Sequence, residues 1–122
     1  MSDHDAQKRN VLVVEDESLV CFLTEDILND AGYSVDLAMR LDNGLKIAQS
    51  AAIDAAILDI NLGQGTTSYP IAHVLTDRRV PFIFVSGYGA DGLDPEWRHV
   101  RTLQKPYTPE DLLAAVSSAI ST

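Results

Sequence analysis

The sequence predicts an α/β fold: a single doubly wound, five-stranded parallel sheet with helices on both faces. Three observations predict it. Short apolar runs such as Asn10-Val11-Leu12-Val13-Val14 and Ala55-Ala56-Ile57-Leu58 read as strands buried on both faces. Stretches with apolar residues at helical spacing separate them. The chain has 122 residues, 46% hydrophobic and 22% charged, which suits one domain with a packed core and leaves no room for a second. Strands alternating with helices imply right-handed crossovers and set the functional crevice at the carboxyl ends of the strands.

Met1 to Arg9 is a polar leader, and the folded domain is expected over 10–122. The first strand stops at Glu15-Asp16-Glu17. Val20, Leu23, Ile27, Leu28 and Ala31 then recur at helical spacing, with Gly32 as C-terminal cap. Tyr33 to Ala38 is the second strand, and Asp42 is placed to cap a helix carrying Leu45, Ile47 and Ala48. The third strand ends on Asp59, before a Gly63-Gln64-Gly65 loop. Pro70 stands in the first turn of a short helix built on Ile71, Ala72, Val74 and Leu75. Pro81 leads a fourth strand that ends at Ser86. Three glycines and Pro95 between Gly87 and Arg98 predict a shortened or irregular fourth helix, confined to about Asp94–Arg98. Val100 to Leu103 is a weak fifth strand. Thr108, Pro109 and Asp111 start the last helix, with Leu112, Leu113, Val116 and Ile120 as its buried stripe.

Composition narrows the function. The formal charge of -9 opposes phosphate backbones, so direct nucleic-acid binding is not expected. No apolar stretch is long enough to insert in a membrane, and Met1 to Asn10 is too polar for a signal peptide. Cys21 is the only cysteine, which excludes an internal disulfide and fits a reducing cytoplasm.

The strand ends gather chemistry. Glu15 and Asp16 follow the first strand, Asp59 ends the third, Ser86 ends the fourth, and Lys105-Pro106 follows the fifth. Three crowded carboxylates raise one another's pKa and call for a cation. Oxygen-only ligands favour Mg²⁺ over zinc or copper. A carboxylate and a phosphoryl charge about 5 Å apart repel by roughly 3 kcal/mol at an effective dielectric near 20. A divalent ion reverses that sign, and with Lys105 and the Ser86 hydroxyl it makes a pocket suited to phosphoryl transfer. Asp59 is the candidate nucleophile, its direction fixed by a buried strand.

These motifs resemble the receiver domain of two-component response regulators over Asn10 to Ser121, a CheY-like, flavodoxin-like fold. The resemblance rests on Val-Leu-Val-Val-Glu15-Asp16-Glu17, Ile-Leu-Asp59-Ile-Asn-Leu, Val-Ser86-Gly and Lys105-Pro106-Tyr107. It implies that Asp59 accepts a phosphoryl group from a histidine kinase or histidine phosphotransfer protein. It also implies that Glu15, Asp16, Asp59 and the Asn61 carbonyl bind Mg²⁺, that Ser86 and Lys105 report occupancy, and that Lys105-Pro106 is cis. With no output domain expected after Thr122, signal would leave through contact with a downstream protein.

Two features depart from the family. Thr102 stands where receivers usually carry an aromatic switch residue, and the spacing from Ser86 to Lys105 is short. Both resemble a subfamily of stand-alone receivers, common in alphaproteobacteria, with a Pro-Phe-x-Phe-Ala-Thr-Gly-Tyr-Gly type motif. Here Pro81 to Gly89 reads Pro-Phe-Ile-Phe-Val-Ser-Gly-Tyr-Gly. Membership implies a stress-response phosphorelay. Without an aromatic at 102, Tyr88 and its glycine-rich loop are the expected output element, the alternative being that Tyr88 packs over the site.

Plainer readings stand beside these. Leu19 and Phe22 fall off the first helix's apolar face, as scattered exposed residues or as a docking patch with Pro106 and Tyr107, where the family holds its phosphotransfer partner. His4, His73 and His99 share no metal-binding spacing, Cys21 reads as a small buried hydrophobe, and Trp97 as a loop anchor. A small Mg²⁺-dependent phosphatase of the haloacid dehalogenase type would want an aspartate at Asn61 and its nucleophile on the first strand. A flavodoxin-like binding module would want a hydroxyl- or glycine-rich loop in place of Glu15-Asp16-Glu17.

Overall fold

The computed structural model describes residues 8–121, apart from the side chains of Ala90 and Asp91. Most of the leader expected at 1–9, His4 included, lies outside the described residues. The elements run β1 (Asn10–Val14), α1 (Ser18–Asp30), β2 (Ser34–Ala38), α2 (Leu41–Ser50), β3 (Ala55–Asp59), α3 (Tyr69–Asp77), β4 (Phe82–Ser86), β5 (Thr102–Gln104) and α4 (Pro109–Ser121). All strand pairs are parallel, in the order β2-β1-β3-β4-β5. Chain direction across the sheet reverses at β1 and β3, which opens a crevice at their carboxyl ends.

Strand side chains alternate between two cores. Leu12, Val14, Ala56, Leu58 and Phe84 pack on one face with Ala48 of α2 and Ile71, Ala72 and Leu75 of α3. Val11, Val13, Ile57, Ile83 and Val85 pack on the other with Cys21 and Leu28 of α1 and Leu112, Ala115 and Val116 of α4. This two-sided burial explains why β1 and β3 read as continuous apolar runs. Gly44 lets α2 approach closely. A Cβ there would lie 2.6 Å from Ile71 Cδ1 and 3.4 Å from Val14 Cγ2.

The structure corrects three local expectations. The buried stripe of α1 is Cys21, Thr24 and Leu28, while Leu23 is 53% exposed and Ala31 is also exposed. A hydropathy pattern puts Leu23 inside; the actual face is turned because Thr24 Oγ1 shares a 2.8 Å hydrogen bond with Tyr107 Oη, which makes its burial tolerable. Asp42 does not cap α2. Arg40 is the extended N-cap residue and Asp42 sits within the first turn, where its charge complements the helix dipole. The fifth strand begins at Thr102 rather than Val100, because the Val100 amide donates to the Trp97 carbonyl at 2.9 Å and is held in the preceding turn.

That connection replaces a regular fourth helix with two 3-10 turns, Gly89–Gly92 and Pro95–Trp97. Trp97 anchors it. The indole stacks on Tyr69 at 5.8 Å between centroids and meets Phe82 and Phe84 edge to face. His73 and His99 lie against the same indole rather than near each other's partners for a metal. At α4, Thr108 Oγ1 accepts the Asp111 N–H at 3.0 Å, a first-turn cap of the expected kind.

Candidate functional site

The parallel sheet delivers the acidic turn after β1, Asp59 at the end of β3, Ser86 at the end of β4 and Lys105 after β5 to one edge. Carboxylate oxygens of Glu15, Asp16 and Asp59 lie within 4.8 Å of one another. Glu15 and Asp59 are each only 4% exposed. Lys105 Nζ reaches Asp59 Oδ2 at 3.0 Å, Glu15 Oε1 at 3.1 Å and Glu17 Oε1 at 3.3 Å. One ammonium thus serves three carboxylates, with Asp16 beside them.

Charge crowding shows in the ionisation of these groups. Burial first, then the hydrogen bond and negative charge of Asp59, push the Glu15 carboxyl up to about 7, against the opposing pull of the Glu17 N–H and Lys105. Burial pulls Lys105 down, but its bonds to Asp59 and Glu15 and their charges outweigh it and hold the ammonium above its ordinary value. The two shifts describe one imbalance: too much negative charge for a single lysine. An oxygen-only set of this kind fits a hard divalent cation, and Glu15, Asp16 and Asp59 are the side chains that would hold Mg²⁺.

The loop after β3 closes the other side. Asn61 Oδ1 accepts the Gly63 N–H at 3.0 Å, an Asx turn, and Asn61 bridges to Thr67. Gly63, with φ +88, comes so near Asp16 that a Cβ would lie 3.4 Å from Oδ2. The resulting cavity of about 790 Å³ is lined by Asp16, Asp59, Ser86 and Lys105, and also by Tyr69 and Gly92. Of the residues lining this cavity, Gly92 belongs to the glycine-rich Gly87 to Gly92 loop that the sequence marks as the moving part, whereas nothing in the sequence points to Tyr69. Glu17 stood in the acidic turn as a signal, whereas Tyr69 reaches the site only through the tertiary fold.

The expected switch and docking residues separate. Tyr88 is 78% exposed, so it stands at the rim of the cavity rather than packed over the site, and its N–H donates to Ser86 Oγ at 3.0 Å. Thr102 is half-buried opposite Phe84 in β5, with its hydroxyl on the Val100 carbonyl. Lys105-Pro106 is cis. Pro106 and Tyr107 join Val20, Leu23 and Ile27 in an apolar groove of about 670 Å³. Leu19 and Phe22 are exposed on α1 outside that lining. Burial raises the Tyr107 hydroxyl above its ordinary value, and burial with Glu15 and Glu25 nearby raises the Cys21 thiol to about 11, which keeps it an unreactive core residue.

A family model described as the response regulator receiver domain matches residues 11–117. The chain belongs to that family. Among solved structures, this receiver is similar to SdrG from Sphingomonas melonis Fr1, with 34% identity, a TM-score of 0.80 and coverage of 94% of this chain and 98% of that one. It is also similar to a response regulator receiver protein from Sinorhizobium medicae WSM419, with 26% identity, a TM-score of 0.82 and coverage of 96% and 98%. Transcriptional regulatory protein DltR of Streptococcus agalactiae is 32% identical over an alignment of 112 residues that covers 87% of this chain and 49% of that protein. The receiver therefore spans about half the length of the curated relatives it matches. Receivers are phosphoacceptor signalling modules of two-component systems rather than typical enzymes, and the acidic cluster suits their magnesium site. Among the described residues no helix is long and apolar enough to cross a membrane.

Proposed function

We propose that this receiver accepts a phosphoryl group on Asp59 from a histidine kinase or histidine phosphotransfer protein. The observation that carries the reading is Asp59 itself: a buried carboxylate fixed at the end of a central strand, bonded to Lys105 and flanked by two further carboxylates. An Asp59 oxygen attacks phosphorus, the bond to the donor histidine nitrogen breaks, and that nitrogen keeps the electron pair. An acyl phosphate results. Glu15, Asp16, Asp59 and the Asn61 carbonyl would hold Mg²⁺, and that ion would supply Lewis-acid neutralisation of the phosphoryl charge. Lys105 moves from carboxylates to a phosphoryl oxygen, and the Ser86 hydroxyl donates to another. Self-catalysed transfer and autodephosphorylation are the only chemistry expected.

The finer reading is a single-domain, cytoplasmic response regulator of the stand-alone alphaproteobacterial subfamily, with 1–9 as leader and 10–122 as receiver. Support comes from the Pro81 to Gly89 motif, the irregular β4–β5 connection, and the 34% identity to SdrG. Its output is contact with a downstream protein, without nucleic acid or membrane, in a stress-response phosphorelay. Kinase docking uses the α1 face with Leu19 and Phe22 and the neighbouring Pro106–Tyr107 groove. Tyr88, exposed beside Ser86, is the output element with its loop. Phosphotransfer profiling of the purified protein against the histidine kinases of its own genome tests this. Rapid labelling by one or a few kinases, lost in Asp59→Asn, is expected; labelling by none, with turnover of small phosphate esters instead, would replace the reading with a phosphatase.

A further inference from the structure

We propose that Tyr69 is a positioning residue that latches the β4–β5 connection against Ser86 and couples the occupancy of Asp59 to the Trp97 cluster. The inference rests on the acceptor reading above and adds its internal regulation. Thr102 leaves β5 without an aromatic beside the site, yet the cavity around Asp59 is lined by a half-buried ring, that of Tyr69 at the start of α3.

Three contacts form the latch. Gly92 presses on the Ser86 hydroxyl so closely that a Cβ at 92 would stand 2.8 Å from Oγ. Two residues on, the Asp94 N–H donates to Tyr69 Oη at 3.0 Å. Tyr69 in turn stacks on Trp97, with 13° between the rings, and meets Phe84 edge to face. In this arrangement Ser86 Oγ accepts the Tyr88 N–H. Turning that hydroxyl towards a phosphoryl oxygen takes the acceptor from Tyr88 and removes the surface against which Gly92 rests. The Gly89–Gly92 turn must then repack, and two residues beyond it the Asp94 to Tyr69 hydrogen bond ties the connection to α3 and takes up the strain. Release of that bond lets the Tyr69 ring shift against an indole that is 4% exposed and touches four further rings. A packed aromatic cluster responds by changing between discrete arrangements rather than by deforming smoothly.

Trp97 is the only tryptophan, so its emission reads the cluster directly. The probe is beryllofluoride, with loading scored separately by fluorine NMR. Two variants cut the latch from opposite ends. Tyr69→Phe removes Oη but keeps the ring, and Asp94→Pro removes the donor at a residue whose φ of -62 already suits proline. Wild type is expected to change its emission on loading. Both variants are expected to load fully yet lose more than half of that change, and to be phosphorylated by acetyl phosphate about fivefold faster, the factor one net hydrogen bond carries. Emission changes and rates equal to wild type in both variants would overturn the latch. Failure of the wild type to load at all would instead contradict the acceptor reading.

Discussion

Glu15 and Asp16 are neighbours in sequence with opposite exposure, and each makes its own prediction. Glu15 titrates at about 7 in the folded chain against 4.5 for a free carboxyl, so folding takes up a proton between those values. Its contribution is fully present below about pH 4.5 and is lost as pH rises through 7. Without divalent ions, the unfolding free energy at pH 5.5 should therefore exceed that at pH 7.5 by about 2 kcal/mol more in wild type than in Glu15→Gln. Urea unfolding at the two pH values checks this; identical pH dependence in the two proteins would show that Glu15 is not the titrating group. Asp16 adds charge at the rim of the same cluster. Asp16→Asn should weaken Mg²⁺ binding about tenfold or more while leaving the ion-free protein as stable as wild type or more so. Thermal melting with and without Mg²⁺ measures both, since the ion's stabilisation follows its affinity. A large loss of ion-free stability at normal affinity would make Asp16 structural.

At the scale of elements, legibility depended on how many neighbours decide an element's phase. β1 and β3 are buried on both faces, so their apolar runs needed no face assigned, and the acidic turn and Asp59 followed at their ends. α1 has one buried face, and its phase is set by Thr24 bonding Tyr107, 83 residues away, which no local pattern shows. The same limit hid Tyr69, whose partner Asp94 is 25 residues distant. Glu17 was visible as a charge but not as a partner of Lys105, because their contact spans 88 residues. The corrected phase of α1 is testable. Leu28→Ala should cost about 2–5 kcal/mol, whereas Leu23→Ser should cost about 0.5 kcal/mol or less. Chemical denaturation of both variants checks it, and a cost of about 2 kcal/mol or more for Leu23→Ser would return Leu23 to the buried face.

Across the whole molecule, parallel topology polarises charge. Lys8, Arg9, Arg78, Arg79, Arg98 and Arg101, six of the nine basic residues, precede strands β1, β4 and β5 and so lie at the amino edge of the sheet. Glu15, Asp16, Glu17 and Asp59 crowd the carboxyl edge with Lys105 as their shared counter-ion. On the proposed function a hard cation would be drawn to that edge first and a phosphoryl group after it, because the carboxylates repel an anion until a cation is present. The claim that Asp59 is the acceptor rests on this arrangement, and intact-mass spectrometry after incubation with acetyl phosphate and Mg²⁺ tests it most directly. Wild type is expected to gain the mass of one phosphoryl group, the gain to disappear when Mg²⁺ is chelated, and Asp59→Asn to gain nothing; undiminished phosphorylation of Asp59→Asn would contradict Asp59 as the acceptor.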